Sequence, residues 1–568
     1  MIERQYDQLK DDESGSSIQQ TEEELMTSFG YKQEMNKTMS TISNFSIAFG
    51  CCSILSGLTP MWGDIMLMGG SIAVIWGWVL VSLFTFAVGL SLAEICSAYP
   101  VTGGLYIWVA RLAPTEYVPL ACWITGYCNW LGLTVAITSA DLGLAQFLFS
   151  LRNQDHDVDI YWQYAIFLVI AFIHGLINSI SVKYNGFFNQ ASLYWHIFGT
   201  LLIIVVALAL TPNKPSAEWV FTYFENDTGF SSNGYAFLLG LLQSQYTLSG
   251  FDSAAQMSEE TVDAARNAPK GILYAIGAAA VTGFVFMLSV NFCVQDFQRQ
   301  IVDTVTRPQM TQVFLDGVGY SWTVVFTTII MVAMFFSGSA LTLGSSRMVF
   351  AFARDGATPF SDHLSRVNPV TKTPIYAVWA NIIFAMVIGL LYIVNTTAFN
   401  AIVSVNTISS SLAYLIPIAL RLTVARKSFK RGPFHLGRFS DVINLTSCCW
   451  IIFTSILFVC PTEYPVTALN MNYASVIFAF VIGASVLYYL LRAKHWFTGP
   501  GSIELPADNY TSPDDIYIIN EHILHRDDND DDDDQDTGNK SFRYMDDGGT
   551  PSIMPPLHAS TSNIVADP

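Results

Sequence analysis

Two stretches of this chain place helix-breaking and polar residues in apolar surroundings: Ser53-Ile54-Leu55-Ser56-Gly57-Leu58-Thr59-Pro60 and Gln245-Tyr246-Thr247-Leu248-Ser249-Gly250-Phe251-Asp252. Their chemistry is recognition rather than bond-making. A helix interrupted in an apolar medium exposes amide and carbonyl groups, which are costly unless a ligand or a neighbour satisfies them. A helix resuming after Ser56-Gly57 offers N–H groups and a positive dipole end, suited to a carboxylate. A half-helix ending near Ser249-Gly250 offers carbonyls, suited to an ammonium group. Ser56 and Gly57, with Ser249 and Gly250 and the flanking Tyr246 and Phe251, therefore describe a receptor for a small zwitterion. The competing reading is that these glycines only let helices pack closely.

The titratable residues near these stretches each carry two readings. Asp252 follows the second interruption, where its carboxylate either holds an amine or caps the resumed half-helix. Asp141 lies inside an apolar stretch, a costly place for an ionised group; it handles an amine or a proton, or it reaches water near the outer interface. An imidazole ordinarily titrates near physiological pH, which makes His196 the candidate for proton coupling, against a neutral histidine bonded to a helix carbonyl. His174 reads as structural. Glu94 and Glu259, with Glu260, fall at helix ends near Arg111, Arg266, Arg347 and Arg354 and suggest ion pairs that form and release as a gate. No Ser/His/Asp arrangement and no paired His/Asp metal set occurs, so neither an enzyme, a cofactor nor a metal is expected.

The elements that must position these residues follow from composition. A chain of 568 residues with 52% hydrophobic and 13% charged residues cannot form a water-soluble globule with a charged skin. Apolar windows long enough to cross a bilayer predict about twelve helical spans. They fall near 42–62, 69–92, 119–149, 163–181, 190–210, 235–257, 271–294, 321–346, 374–394, 398–420, 442–460 and 474–491. The first, sixth and tenth are interrupted by Gly, Ser and other polar residues. Most loop Lys and Arg residues fall on one side, among them Arg111, Arg347, Arg354, Arg421 and Arg426. Only Arg152, Lys214, Arg299 and Arg307 fall on the other, which puts both termini in the cytoplasm.

Three regions result: a cytoplasmic tail over 1–38, a transmembrane domain over 39–495 and an acidic, disordered cytoplasmic tail over 496–568. Much of the net charge of −19 belongs to the tails, above all Asp527, Asp528 and Asp530 to Asp534, which read as a solvated run or a site for regulatory partners. That acidity excludes nucleic acid as a partner. The cysteines lack ligand spacing and read as small apolar packing residues. Asn226 and Asn395 open glycosylation sequons in outer loops.

The shared Leu-Ser-Gly of the two interrupted stretches recurs at an offset of about 190 residues, or five spans, as expected if spans one to five are repeated, inverted, by spans six to ten.

Several segments resemble the amino acid–polyamine–organocation superfamily and, within it, fungal and plant permeases for 4-aminobutyrate, choline and related amines. They are Phe29-Gly30-Tyr31-Lys32-Gln33-Glu34; Gly89-Leu90-Ser91-Leu92-Ala93-Glu94 through Tyr99-Pro100 and Thr102-Gly103-Gly104-Leu105-Tyr106; Gly250-Phe251-Asp252 with Ser258-Glu259-Glu260-Thr261; and Ala353-Arg354-Asp355-Gly356-Ala357 through Thr373-Pro374. They span roughly residues 29–495. The resemblance implies an all-α fold of five-plus-five inverted repeats with two added helices, alternating access, and uptake driven by a proton or by exchange. It makes Phe251 the aromatic gate and Ser56-Gly57-Leu58 a looser version of the carboxylate-binding triplet. It also supports His196, because similar transporters place a cationic side chain in span five where a coupling sodium would sit. The expectation is secondary active import of 4-aminobutyrate or a similar amino acid, together with a proton, across the plasma membrane. The alternatives are a choline or polyamine substrate, a nutrient sensor on the same fold, or a vacuolar or other internal membrane.

Overall fold

The computed structural model describes residues 37, 39–151, 160–180, 182–394, 398–467 and 470–500. The Phe29–Glu34 segment, Arg152, the Asn395 sequon, the acidic run after Asp527 and nearly all of both expected tails lie outside them.

Among the described residues, eleven helices are long and apolar enough to cross a membrane. The remaining expected span, the sixth, is divided into Asn233–Leu239, Leu241–Thr247 and Ser253–Gln256, followed by a turn of 3-10 helix at Ser258–Glu260. The architecture is thus all-α, with span one also split, into Thr41–Cys51 and Ile54–Leu58. Span three is Val118–Phe149, span four Ile160–Asn178, span five Val182–Leu210, span seven Ala264–Asn291, span nine Ile375–Val394 and span ten Ala398–Leu422. Ser440–Leu457 and Ala474–Leu491 are the two added spans.

Glycines set two boundaries. Helix continues from Trp62 to Ala98 except at Gly69-Gly70, and this pair, not a loop near 62–69, turns span one into span two. Gly70 has φ 65°, and a Cβ there would meet the Tyr223 carbonyl oxygen at 2.7 Å, so no other residue fits the turn. Gly319, at φ 79°, likewise divides an outer helix from span eight within Met310–Arg354.

Two expectations are corrected. Span ten is continuous, because its polar residues are not breaks: Ser404, Asn406, Thr407, Ser409 and Ser410 are buried toward the protein interior. A helix at Leu105–Leu112, between spans two and three, was not anticipated; it buries Tyr106 and Trp108 completely.

The two split spans lie against each other in opposite senses, as an inverted repeat requires. The first half of span one meets the far part of span six, where Asn44 Nδ2 donates to the Ala254 carbonyl and to Thr261 Oγ1, both at 2.9 Å. The second half meets the near part, where Gln243 Nε2 donates to the Leu58 carbonyl. Outer faces such as Phe480, Leu487 and Leu491 on the last span are exposed and apolar, as contact with lipid demands.

Candidate functional site

Span one breaks at Cys52-Ser53, earlier than the sequence suggested, and Ser53 caps the short helix by accepting the Ser56 amide at 3.2 Å. The Gly57 amide donates to the Ser53 carbonyl at 2.9 Å. The expectation of free amides after Ser56-Gly57 is therefore corrected: those two are already bonded, and the open end of the half-helix is at Ile54-Leu55. Span six breaks where anticipated. Helix ends at Thr247, and Gly250 adopts φ 82° with Cys51 Cβ close against it.

The exposed backbone of the breaks is partly satisfied across the interface. Cys52 Sγ donates to the Ser249 carbonyl at 3.2 Å, and Cys51 Sγ donates to Ser253 Oγ at 3.3 Å. These two cysteines thus tie the breaks together and are more than apolar filler. Gly57 faces Thr247 so closely that a Cβ on it would lie 2.5 Å from Thr247 Oγ1. Close packing and a binding site, posed as alternatives for this glycine, coincide here.

Between the breaks lies a small cavity. Ser56, Gly57, Tyr246 and Ser249 line it, together with Cys51, Ser53 and Thr247 from the same spans. Ala136 and Ala140 of span three, Ser337 and Leu341 of span eight and Asn406 of span ten complete the wall. The reading from sequence missed these five. Only Asn406 carried a signal, as an amide within the polar run of span ten. Tyr246 Oη lies 2.8 Å from Ser139 Oγ, and Asn406 Nδ2 donates to Ser249 Oγ at 3.4 Å.

Leu58, Gly250, Phe251 and Asp252 are buried outside this wall. Phe251 packs on Tyr414 of span ten with ring centroids 5.2 Å apart. Asp252 is fully buried and makes no side-chain cap; instead its Oδ1 accepts from Tyr414 Oη at 2.6 Å, and Gln256 Nε2 reaches Oδ2 at 3.4 Å. The capping alternative for Asp252 is thereby corrected. Asp141 does not reach water either. It is fully buried, and His174, expected to be structural, is its partner at 3.2 Å.

His196 joins span five to the break in span one. Its Nδ1 lies 2.8 Å from the Ser192 carbonyl, which can only accept, so Nδ1 carries a hydrogen; Nε2 lies 2.7 Å from Ser53 Oγ. At the C-terminal ends of spans six and eight, Arg354 Nη1 meets Glu259 Oε1 at 3.1 Å, and Arg347 Nε meets Glu260 Oε1 at 2.8 Å. Glu94 pairs with Arg421 at 3.7 Å and accepts the Leu436 amide at 3.0 Å. Arg266 turns instead to Asp263.

Residues 39–482 match the amino acid permease family. The chain is 36% identical to the amino-acid permease BAT1 of Arabidopsis thaliana, over 87% of this chain and 98% of that protein. It is 29% identical to amino-acid permease 2 of Neurospora crassa, over 85% of this chain and 90% of that protein. It is 28% identical to the GABA-specific permease of Saccharomyces cerevisiae, over 86% of this chain and 87% of that protein. With its split spans and many apolar helices, the chain belongs to the amino acid permease family and is a multi-pass membrane transporter.

Proposed function

We propose that this permease imports 4-aminobutyrate or a similarly small amino acid together with a proton, across the plasma membrane, with residues 39–495 as the transport domain and the flanking tails as cytoplasmic regulatory segments. The observation that carries this reading is the cavity between two helix breaks, with His196 bonded through Ser53 to one of them. The open helix end at Ile54-Leu55, with Ser56 and Gly57, receives the carboxylate; Tyr246, Ser249 and the carbonyl end of the near half of span six receive the ammonium group. Asp252 favours the amine from behind the wall, and Phe251 closes the path beneath it. Among the described residues lining the cavity none is acidic, which favours a zwitterion over a polyamine, whose two charges need counter-charges in a desolvated site. The yeast relative named for GABA supports the same substrate class.

Glu259–Arg354 and Glu94–Arg421 hold the cytoplasmic side shut and separate when the cavity turns inward. Proteoliposomes containing the purified protein test the substrate. Labelled 4-aminobutyrate accumulates under an inward proton gradient and is displaced by unlabelled 4-aminobutyrate; stronger displacement by choline or putrescine would reassign the substrate.

A further inference from the structure

Behind the cavity wall, spans three, four and eight bury a second titratable cluster. Asp141 Oδ2 and His174 Nδ1 lie 3.2 Å apart, and both side chains are fully buried. Asp141 Oδ1 and His174 Nε2 have no hydrogen-bond partner in the protein. Span eight makes room for the pair at Gly338, where a Cβ would lie 2.3 Å from Asp141 Oδ1 and 2.6 Å from His174 Cε1. Phe335 covers the imidazole with ring centroids 4.6 Å apart. Ala140 and Ser337, which precede Asp141 and Gly338 in sequence, line the cavity.

The charge balance of this pair is unusual. No other Asp, Glu, Lys or Arg occurs in 118–149, 160–178, 320–346, 375–394 or 398–420, the lengths of spans three, four, eight, nine and ten that surround it. The other titratable groups facing this region are the Cys51 thiol of span one, packed in a cluster with Ala140, and three phenols: Tyr246 of span six, bonded to Ser139; Tyr392 of span nine, bonded to Gln163; and Tyr164 of span four, bonded to the Met386 carbonyl. Carboxylate with neutral imidazole buries one net negative charge and leaves the Nε2 lone pair free. One added proton removes that net charge from the buried pair.

We propose that Asp141 and His174 form a second proton-binding site of the transport cycle, separate from His196. The proton passes from water in the cavity to His174 Nε2 and leaves to water when the protein faces the cytoplasm; no other bond changes. Contact with three spans supplies the coupling, since a shift of span eight at Gly338 alters the setting of both groups. This inference rests on the proton-symport reading.

The test compares the unmodified protein with Asp141→Asn and His174→Gln in proteoliposomes, using labelled 4-aminobutyrate in two assays. Exchange against internal substrate needs no net proton movement, whereas accumulation under a proton gradient does. Both variants are expected to keep exchange and to lose gradient-driven accumulation by about tenfold or more. Accumulation at the unmodified level with an unchanged pH profile would overturn the proposal, as would equal loss of exchange and accumulation in protein that remains folded. Failure of the unmodified protein to respond to the gradient would instead overturn the symport reading itself. If the variants do not fold, the coupling ratio of the unmodified protein decides: about two protons per substrate are expected, one from each histidine, and a ratio of one overturns the second site.

Discussion

His196 Nε2 sits 2.7 Å from Ser53 Oγ, and Ser53 is also the cap of the half-helix that begins at Ile54. A histidine on span five therefore touches the residue that fixes where span one resumes. A neutral ring accepts from the Ser53 hydroxyl through Nε2; a protonated ring donates to it, and the hydroxyl must turn. Protonation is thus felt at the break in span one, where Ser53 lines the cavity.

Removing the imidazole tests that link. His196→Ala should flatten the pH dependence of concentrative uptake: accumulation in the unmodified protein rises as the outer medium is acidified and the ring gains its proton, and the variant should lose most of that rise. Initial uptake rates measured across external pH at fixed internal pH check it. An unaltered profile would leave histidine coupling at this position without support.

Gly57 and Thr247 offer a test of packing. Gly57→Ala drives a methyl group into the Thr247 side chain and should reduce uptake by about tenfold or more, the loss expected for overpacking of about 1.4 kcal/mol or more. Thr247→Ala in the same protein removes the obstructing atoms and should restore part of the activity. Uptake rates normalised to surface protein measure both, and a double variant no better than the single one argues against this contact.

Asp252→Asn keeps the size of the side chain but removes its charge beneath the break. Uptake of 4-aminobutyrate should fall far more than protein abundance, and Tyr414→Phe, which deletes the 2.6 Å hydrogen bond to that carboxylate, should give a milder version of the same defect. Transport by Asp252→Asn at the unmodified rate would remove this residue from the account.

The two inner ion pairs differ in burial and should differ in consequence. Arg347 and Glu260 are both fully buried, so Arg347→Ala leaves an uncompensated carboxylate and should destabilise the protein by about 3–5 kcal/mol. Arg354 is partly exposed at 14%, and Arg354→Ala should cost less stability while biasing the transporter toward the inward-facing state. Thermal unfolding in detergent, alongside the rates of substrate entry and exit, separates the two.

Much of this was legible in the sequence because the physics behind it is local. Length and apolarity fixed the spans, and Leu-Ser-Gly at matching places marked both split helices. The exact turn of span one was not legible, since Ser53 and Ser56 are equally good breakers until a neighbour such as His196 selects one. The polar run of span ten looked like an interruption because burial depends on which face meets spans three and six, and sequence alone does not show that. The pairing of Asp141 with His174, and of Glu94 with Arg421, likewise depends on helix rotation and on approach between distant segments.

The most direct measurement is proton entry evoked by substrate. Proteoliposomes holding the purified protein and a trapped pH-sensitive dye receive external 4-aminobutyrate with no imposed gradient and with the membrane potential clamped. The account predicts acidification of the lumen in step with uptake of the labelled substrate. Substrate accumulation without proton movement, or no uptake in sealed vesicles shown to contain folded protein, would contradict it.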